Sequence, residues 1–376
     1  MRILFTTQVV LDRPHGGPRH VLAVARAWVR RGHEVILVAP GEDPQEPGMR
    51  RLRPTRGVPG LRTELALAYL ARRAVKEHAP EVAYVRLSAT SSAVPFTLAG
   101  LGLPIVTELN GRLLDELRLL GRSATAVRTV ALAQRAVARV ARAVVAVEDK
   151  IGRHAREALG YRDVRVIENG ADIDRATPGD RDAARERLGL PPDATLFAFA
   201  GTLVPELRLD LLLEAMAHLP EAQLVIAGDG PARSRLESLA HSLVGRVRWL
   251  GARPHHEAID LLRAADVCVN VRDGDMGMKA LEYAAVGRRF VAFRVEGAER
   301  LESLFPHQQV AFLVQERSGR ALAEALRSAL AADRAEAIPS SALEQARASV
   351  SWDRTAARIE SVLEEALEEG ARRDAS

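Results

Sequence analysis

Lys279 and Glu282 stand three residues apart in the run MGMKALEYAAVG, which reads as a short helix. That spacing puts an ammonium and a carboxylate on one helix face. Lys279 is one of only three lysines in a chain that carries fifty arginines. An ammonium on a flexible stem, placed where free helix N–H groups already favour negative charge, suits a phosphate. The Glu282 carboxylate suits a vicinal diol. A surface ion pair between the two is the competing reading.

Glycine loops follow several apolar runs. Gly16 and Gly17 lie in HGGPRH, Gly201 and Thr202 follow TLFAFA, and Gly228 and Gly230 lie in GDGP after AQLVIA. In open parallel sheets ligands bind beyond the carboxyl ends of strands, where glycine lets backbone approach an anion. GDGPAR fails the dinucleotide fingerprint, since Arg233 occupies the last glycine position. Ordinary turn chemistry explains each loop taken singly. In the first half His20, Arg86, Glu108, Asn110 and Arg112 fall on strand ends or loops, where a contact to substrate and a structural role compete. His255 and His256 adjoin a helix start with no ligand-type neighbours, so no metal site is expected there. Cys268, the single cysteine, excludes an internal disulfide and reads as a small buried strand residue.

These residues need a scaffold. The 376 residues, 47% hydrophobic, exceed one ordinary core and imply two domains. Short β-rich runs alternate with amphipathic segments throughout: RILFTTQVV, then HVLAVARAWVRRG, then EVILVAP, and from TLFAFAG the rhythm repeats until RFVAFR, after which helices run to the end. This predicts α/β architecture with helices on both faces of parallel sheets. The polar, proline-bearing stretch RATPGDRDAARERLGLPPDAT, helical only in its middle, reads as a linker leading to the first strand of a second domain. The expected domains are residues 1–176, residues 177–350 and a terminal helix over 351–376.

Residues 1–176 hold 28 Lys+Arg against 18 Asp+Glu, whereas 177–376 hold 25 against 31. The basic half suits an anionic partner or membrane surface, or is simply arginine-rich solvated helix. Without aromatic interleaving, nucleic acid is not expected as a partner. No apolar run is long enough to span a membrane, and the N-terminus lacks signal-peptide features. A cytoplasmic location follows, with peripheral contact at the inner membrane face compatible with the charge, and a monomer or homodimer equally compatible.

The order of these motifs resembles the family 4 retaining glycosyltransferases of the GT-B fold. RPHGGPRHVLAVARAWVRRGHEVILVAP, VIENGADID, GTLVPELRLDLLLEAM, VIAGDGPARSRLESLA, VRWLGARPHHEAIDLLRAADVCVN, LEYAAVG and Ser351-Trp352 each look like successive family blocks. The resemblance implies two Rossmann-like doubly wound domains facing a cleft. It implies a nucleotide-sugar donor, such as a UDP sugar, on the second domain and a carbohydrate, lipid-linked or small-molecule acceptor on the first. No metal or other cofactor is expected. On that resemblance Lys279, Asn110 and His20 are catalytic candidates. Gly16, Gly17, Thr202, Arg208, Gly228, Gly230, Arg253, Pro254, Asp275 and Glu282 are donor candidates. Arg86, Glu108 and Arg112 are acceptor candidates.

The chain departs from the family pattern at telling places. Thr202 and Leu207 occupy positions where the family has an Arg and a Lys, with Arg208 next door. Gly274, between Asp273 and Asp275, replaces the first of two signature glutamates, and Asn110 stands where the family often has His. Two expectations follow: an active enzyme in which Lys279 compensates, or a degenerate homologue acting as a binding or regulatory subunit. An unrelated enzyme of similar shape, such as a sugar-nucleotide epimerase, would need a carboxylate and histidine set that these motifs do not assemble.

Overall fold

A computed structural model describes the chain outside residues 14–15, 43–47, 55–59, 172, 174–175, 274–276, 296–297, 306–308 and 375–376, and outside the side chains of 277–279, 371, 373 and 374. The chain forms two compact units, Met1–Asn169 with Trp352–Ser376, and Gly170–Ser351.

The first unit runs β1 (Arg2–Thr7), α1 (Gly16–Arg30), β2 (Glu34–Val38), β3 (Met49–Leu52), α2 (Leu61–His78), β4 (Val82–Arg86), α3 (Ala93–Ala99), β5 (Ile105–Leu109), α4 (Leu113–Leu119), α5 (Ala124–Val140), β6 (Ala143–Ala146), α6 (Asp149–Glu157) and β7 (Val164–Val166). The second runs α7 (Arg181–Leu188), β8 (Thr195–Ala200), α8 (Leu209–Ala217), β9 (Ala222–Ala227), α9 (Arg233–Leu239), β10 (Val247–Gly251), α10 (His255–Ala264), β11 (Val267–Asn270), α11 (Gly277–Val286), β12 (Arg289–Phe293), α12 (Glu299–Ser303), β13 (Ala311–Val314), α13 (Gly319–Ala335) and α14 (Ser340–Ser349). A last helix, α15 (Trp352–Asp374), returns to the first unit.

Both sheets are parallel, in the orders β3-β2-β1-β4-β5-β6-β7 and β10-β9-β8-β11-β12-β13. Their inner strands are apolar without alternation because helices cover both faces. In the first unit Leu4, Ile36, Ala83 and Ile105 pack with α2, α3 and α5. On the opposite face Phe5 and Tyr84 meet Trp28 of α1, with ring centroids 5.7 and 5.3 Å away. Trp28 Nε1 in turn donates to the Ala356 carbonyl of α15 at 3.1 Å, and Arg30 pairs with Asp353 at 2.9 Å.

Three readings of the sequence need correction. The helix expected in the middle of RATPGDRDAARERLGLPPDAT is α7, but it packs against α10, so the stretch is part of the second unit and not a free linker. Arg185, 1% exposed, donates to the carbonyls of Ala264 and Ala194 and to Asp266 at 3.1 Å. A buried arginine satisfied by backbone carbonyls looks, in sequence, like a solvated one. The first unit ends at Asn169, so Gly170, Ala171, Ile173 and Ala176 go with the second, where Ala171 N donates to the Val350 carbonyl at 2.6 Å and Ala176 is fully buried. Finally, helices do not follow β12 without interruption, because β13 pairs with it along Phe290↔Ala311 to Phe293↔Val314. At four residues, on a sheet edge, β13 is too short to show a period.

Candidate active site

At the carboxyl end of the first sheet, four residues singled out from the sequence converge. Arg86 closes β4 and lies in register with Glu108 of β5. Glu108 has no solvent exposure. Its Oε2 accepts from His20 Nε2 at 2.9 Å and from the Tyr84 hydroxyl at 2.6 Å. Its Oε1 accepts from Arg86 at 3.1 Å and from the Asn110 amide. Burial alone would raise the Glu108 carboxyl, but the charge and hydrogen bond of His20, then Arg86 and Tyr84, outweigh it and hold the group at about 2. Tyr84 is pushed the other way, by its own burial first and then by the Glu108 charge, so its phenol stays a donor. His20 sits one turn into α1, 3% exposed, with its ring edge-on to Trp352 at 5.1 Å.

Arg112 does not join this cluster. It precedes α4, half exposed, with its guanidinium 2.9 Å from Asp115. Gly16 and Gly17 are the first residues of α1.

The second sheet's carboxyl end is organised differently. Gly228 N donates to the Gly251 carbonyl at 2.8 Å, and a Cβ on Gly228 would come within 1.8 Å of the Gly201 carbonyl oxygen. At Gly230 an added Cβ would lie 2.4 Å from the Leu203 oxygen. These glycines are therefore required by the close approach of two loops of the chain itself. Thr202 is exposed between them and Leu207 is buried in the core. Arg208 pairs with Asp210 at 3.2 Å and Asp273 at 3.5 Å, and Arg317 reaches Asp273 at 3.2 Å. Arg253 donates to the Leu250 carbonyl and to Glu257, at 2.9 and 3.1 Å, just before Pro254 and α10.

Glu282 projects from α11 into the unit. It is 8% exposed, and its Oε1 lies 3.3 Å from His255 Nε2. A carboxylate so placed is not the surface glutamate of the competing reading. Asp275 and the Lys279 side chain lie outside the described residues. Cys268 is fully buried and burial pushes its thiol up to about 12, consistent with a packing role.

Sequence reasoning missed Tyr84, Arg317, the contact of Trp352 with His20 and the tie between His255 and Glu282. Tyr84 had a signal: it lies two residues before Arg86, hence on the same strand face. His255 had none, because its partner comes from another helix.

Two parallel-sheet, Rossmann-like units are the architecture of GT-B glycosyltransferases, and solved structures of that class superpose on this chain. Sucrose-phosphate synthase from Thermosynechococcus elongatus does so with a TM-score of 0.76 at 20% identity, covering 97% of this chain and 98% of that one. Anabaena HepE, solved in complex with UDP, gives 0.72 at 20% identity over 97% and 100%. WaaG, a glycosyltransferase involved in lipopolysaccharide biosynthesis, gives 0.66 at 17% over 96% and 99%. The model described as Glycosyltransferase Family 4 matches residues 14–175, and that described as Glycosyl transferases group 1 matches 194–332. The chain belongs to the family 4 glycosyltransferases. Among curated relatives, D-inositol 3-phosphate glycosyltransferases of Mycobacterium sp. (strain KMS) and Mycobacterium tuberculosis (strain F11) are 38% and 39% identical to it over 143 residues, 36% of this chain. The matched stretch spans about a third of those relatives, 32% and 30% respectively.

Proposed function

We propose that the protein transfers a sugar from a nucleotide-sugar donor, held by the second unit, to an acceptor hydroxyl held by the first, with retention of configuration and without a metal. The convergence of His20, Arg86 and Asn110 on the buried Glu108 is the observation that carries this reading. It builds a rigid polar floor at a sheet end, which is where substrates of open parallel sheets bind. The complex of HepE with UDP-glucose supports a UDP sugar as donor, and the inositol phosphate glycosyltransferase relatives support a polyol acceptor.

In this reading Glu282 accepts hydrogen bonds from the donor ribose, with His255 fixing the carboxylate. The Gly228–Pro231 loop and Arg253 border the nucleotide. As the bond from the anomeric carbon to the diphosphate breaks, the acceptor oxygen bonds to the same face, and its proton passes to the departing phosphate oxygen. Lys279 and the first amides of α11 stabilise the charge that develops there. Arg208 adds a second cation once the diphosphate competes for it with Asp210 and Asp273.

A thermal-shift screen of nucleoside diphosphates and nucleotide sugars identifies the donor, because a ligand specific to the folded state raises the melting point. With that donor, Lys279→Ala should lower turnover about 10²–10³-fold while changing donor affinity far less. Unchanged turnover would remove the lysine from the mechanism. A second reading, a nucleotide-binding homologue without activity, is favoured by Leu207 lying in the core and by Arg208 being claimed by two carboxylates. Donor binding with neither transfer nor hydrolysis decides for it.

A further inference from the structure

Exposed apolar side chains are distributed one-sidedly over the first unit. Leu61, Leu65 and Tyr69 of α2 are 63%, 56% and 70% exposed, and Phe96 of the adjoining α3 is 42% exposed. Leu119 and Leu120 at the end of α4, and Leu132 of α5, continue the series. On α1 and α15, which cover the opposite sheet face, no large apolar side chain is exposed among the described residues. Apolar groups gathered on one layer mark an interaction surface rather than incidental exposure.

Charge says what kind of surface it is. The four-residue spacing of Leu61, Leu65 and Tyr69 makes a stripe along α2, and Arg62, Arg72 and Lys76 flank it on the same exposed face. Among the described residues no carboxylate pairs with those three cations. The one exposed acid of the helix, Glu77, is held by Arg73 at 2.6 Å. On the other face several acids of α15 do have basic partners, Asp353 with Arg30 at 2.9 Å and Glu365 with Arg165 at 2.6 Å among them. An amphipathic helix with leucines, a tyrosine and unpaired cations fits an interface where apolar tips enter the headgroup layer and Lys or Arg meets lipid phosphates. A second copy is a poorer occupant, since a two-fold contact puts the same patch on both sides, and on α2 the only exposed acid, Glu77, is already held by Arg73.

We propose that the exposed face of α2, extended by Phe96, docks the protein on the surface of an anionic lipid bilayer. No helix among the described residues is long and apolar enough to cross a membrane, so this is surface attachment. The inference stands on its own, whatever reaction the protein performs.

Co-sedimentation of the full chain with vesicles of phosphatidylcholine alone, or mixed with phosphatidylglycerol, tests it. Binding should require the anionic lipid and be released at about 1 M salt, where the Debye length falls to about 3 Å. Replacing Arg72 and Lys76 by Gln should weaken binding about tenfold or more, given roughly fivefold per cation near such a surface. The Leu65→Ser, Tyr69→Ser double variant should weaken it similarly. Leu239→Ser, on an exposed position of α9 in the second unit, should leave it unchanged. Equal binding to neutral vesicles, or no binding to anionic ones, overturns the proposal using the wild-type chain alone. So does a dimer that the α2 variants convert to monomers without any change in lipid binding.

Discussion

The two sheet ends handle charge in opposite ways. In the first unit one carboxylate, Glu108, takes every partner, out of contact with water. In the second unit one carboxylate, Glu282, is buried beside His255, but the cations stay apart from it, in partly exposed pairs such as Arg208 with Asp273 and Arg253 with Glu257. A buried, fully bonded cluster cannot exchange partners without leaving a charge unpaired in a dry site. Exposed pairs give up a partner at little cost. The first arrangement therefore fixes geometry, while the second keeps cations available for an incoming anion. The difference teaches that a fixed polar floor and an adaptable set of cations can be built from the same sheet order.

That contrast can be broken most severely at its centre. Glu108→Ala removes the shared acceptor and strands Arg86, and it should cost about 3–5 kcal/mol in a denaturant melt; a loss below about 1 kcal/mol would deny the cluster its structural weight. Acid offers a gentler probe of the same group. Its carboxyl sits at about 2 in the folded chain against an ordinary 4.5, a depressed value, so its stabilisation is complete above the unfolded value and is lost as pH falls from about 4.5 towards 2. The difference amounts to about 3 kcal/mol, and Glu108→Gln should flatten that part of the stability-against-pH curve. On the other side of the comparison, Gly228→Ala forces the Gly201 carbonyl to move and should cost about 1–3 kcal/mol, with donor affinity falling alongside. Smallest of all, Arg208→Ala should change stability by less than about 1 kcal/mol yet weaken binding of a nucleoside diphosphate measured by calorimetry. A stability loss matching that of Glu108→Ala would erase the distinction.

Much of this was legible beforehand because it depends on local pattern. Uninterrupted apolar runs announced strands covered on both faces, and glycines after them announced tight loops. Arg86, Glu108 and Asn110 could be nominated from their places at or just beyond strand ends, and His20 from its place after the first glycine loop. What pattern could not carry was partnership across distance. Nothing near Arg185 says that its guanidinium is satisfied by carbonyls of another segment, and nothing near Glu282 says that His255 will meet it. The short edge strands escaped for a related reason: β3, with its arginines, and β13 gain their conformation from a neighbouring strand more than from their own periodicity.

The return of α15 has a consequence for how the molecule is made. Ala171 and Ser351 are bridged side by side, so the second unit leaves and re-enters at one point, like a bead threaded into its host. During synthesis that bead is complete once Ser351 has emerged from the ribosome, whereas the host still lacks the helix that accepts the Trp28 indole and carries Trp352 against His20. The first unit, whose synthesis starts earlier, therefore cannot complete those contacts until the helix that follows Ser351 has been made.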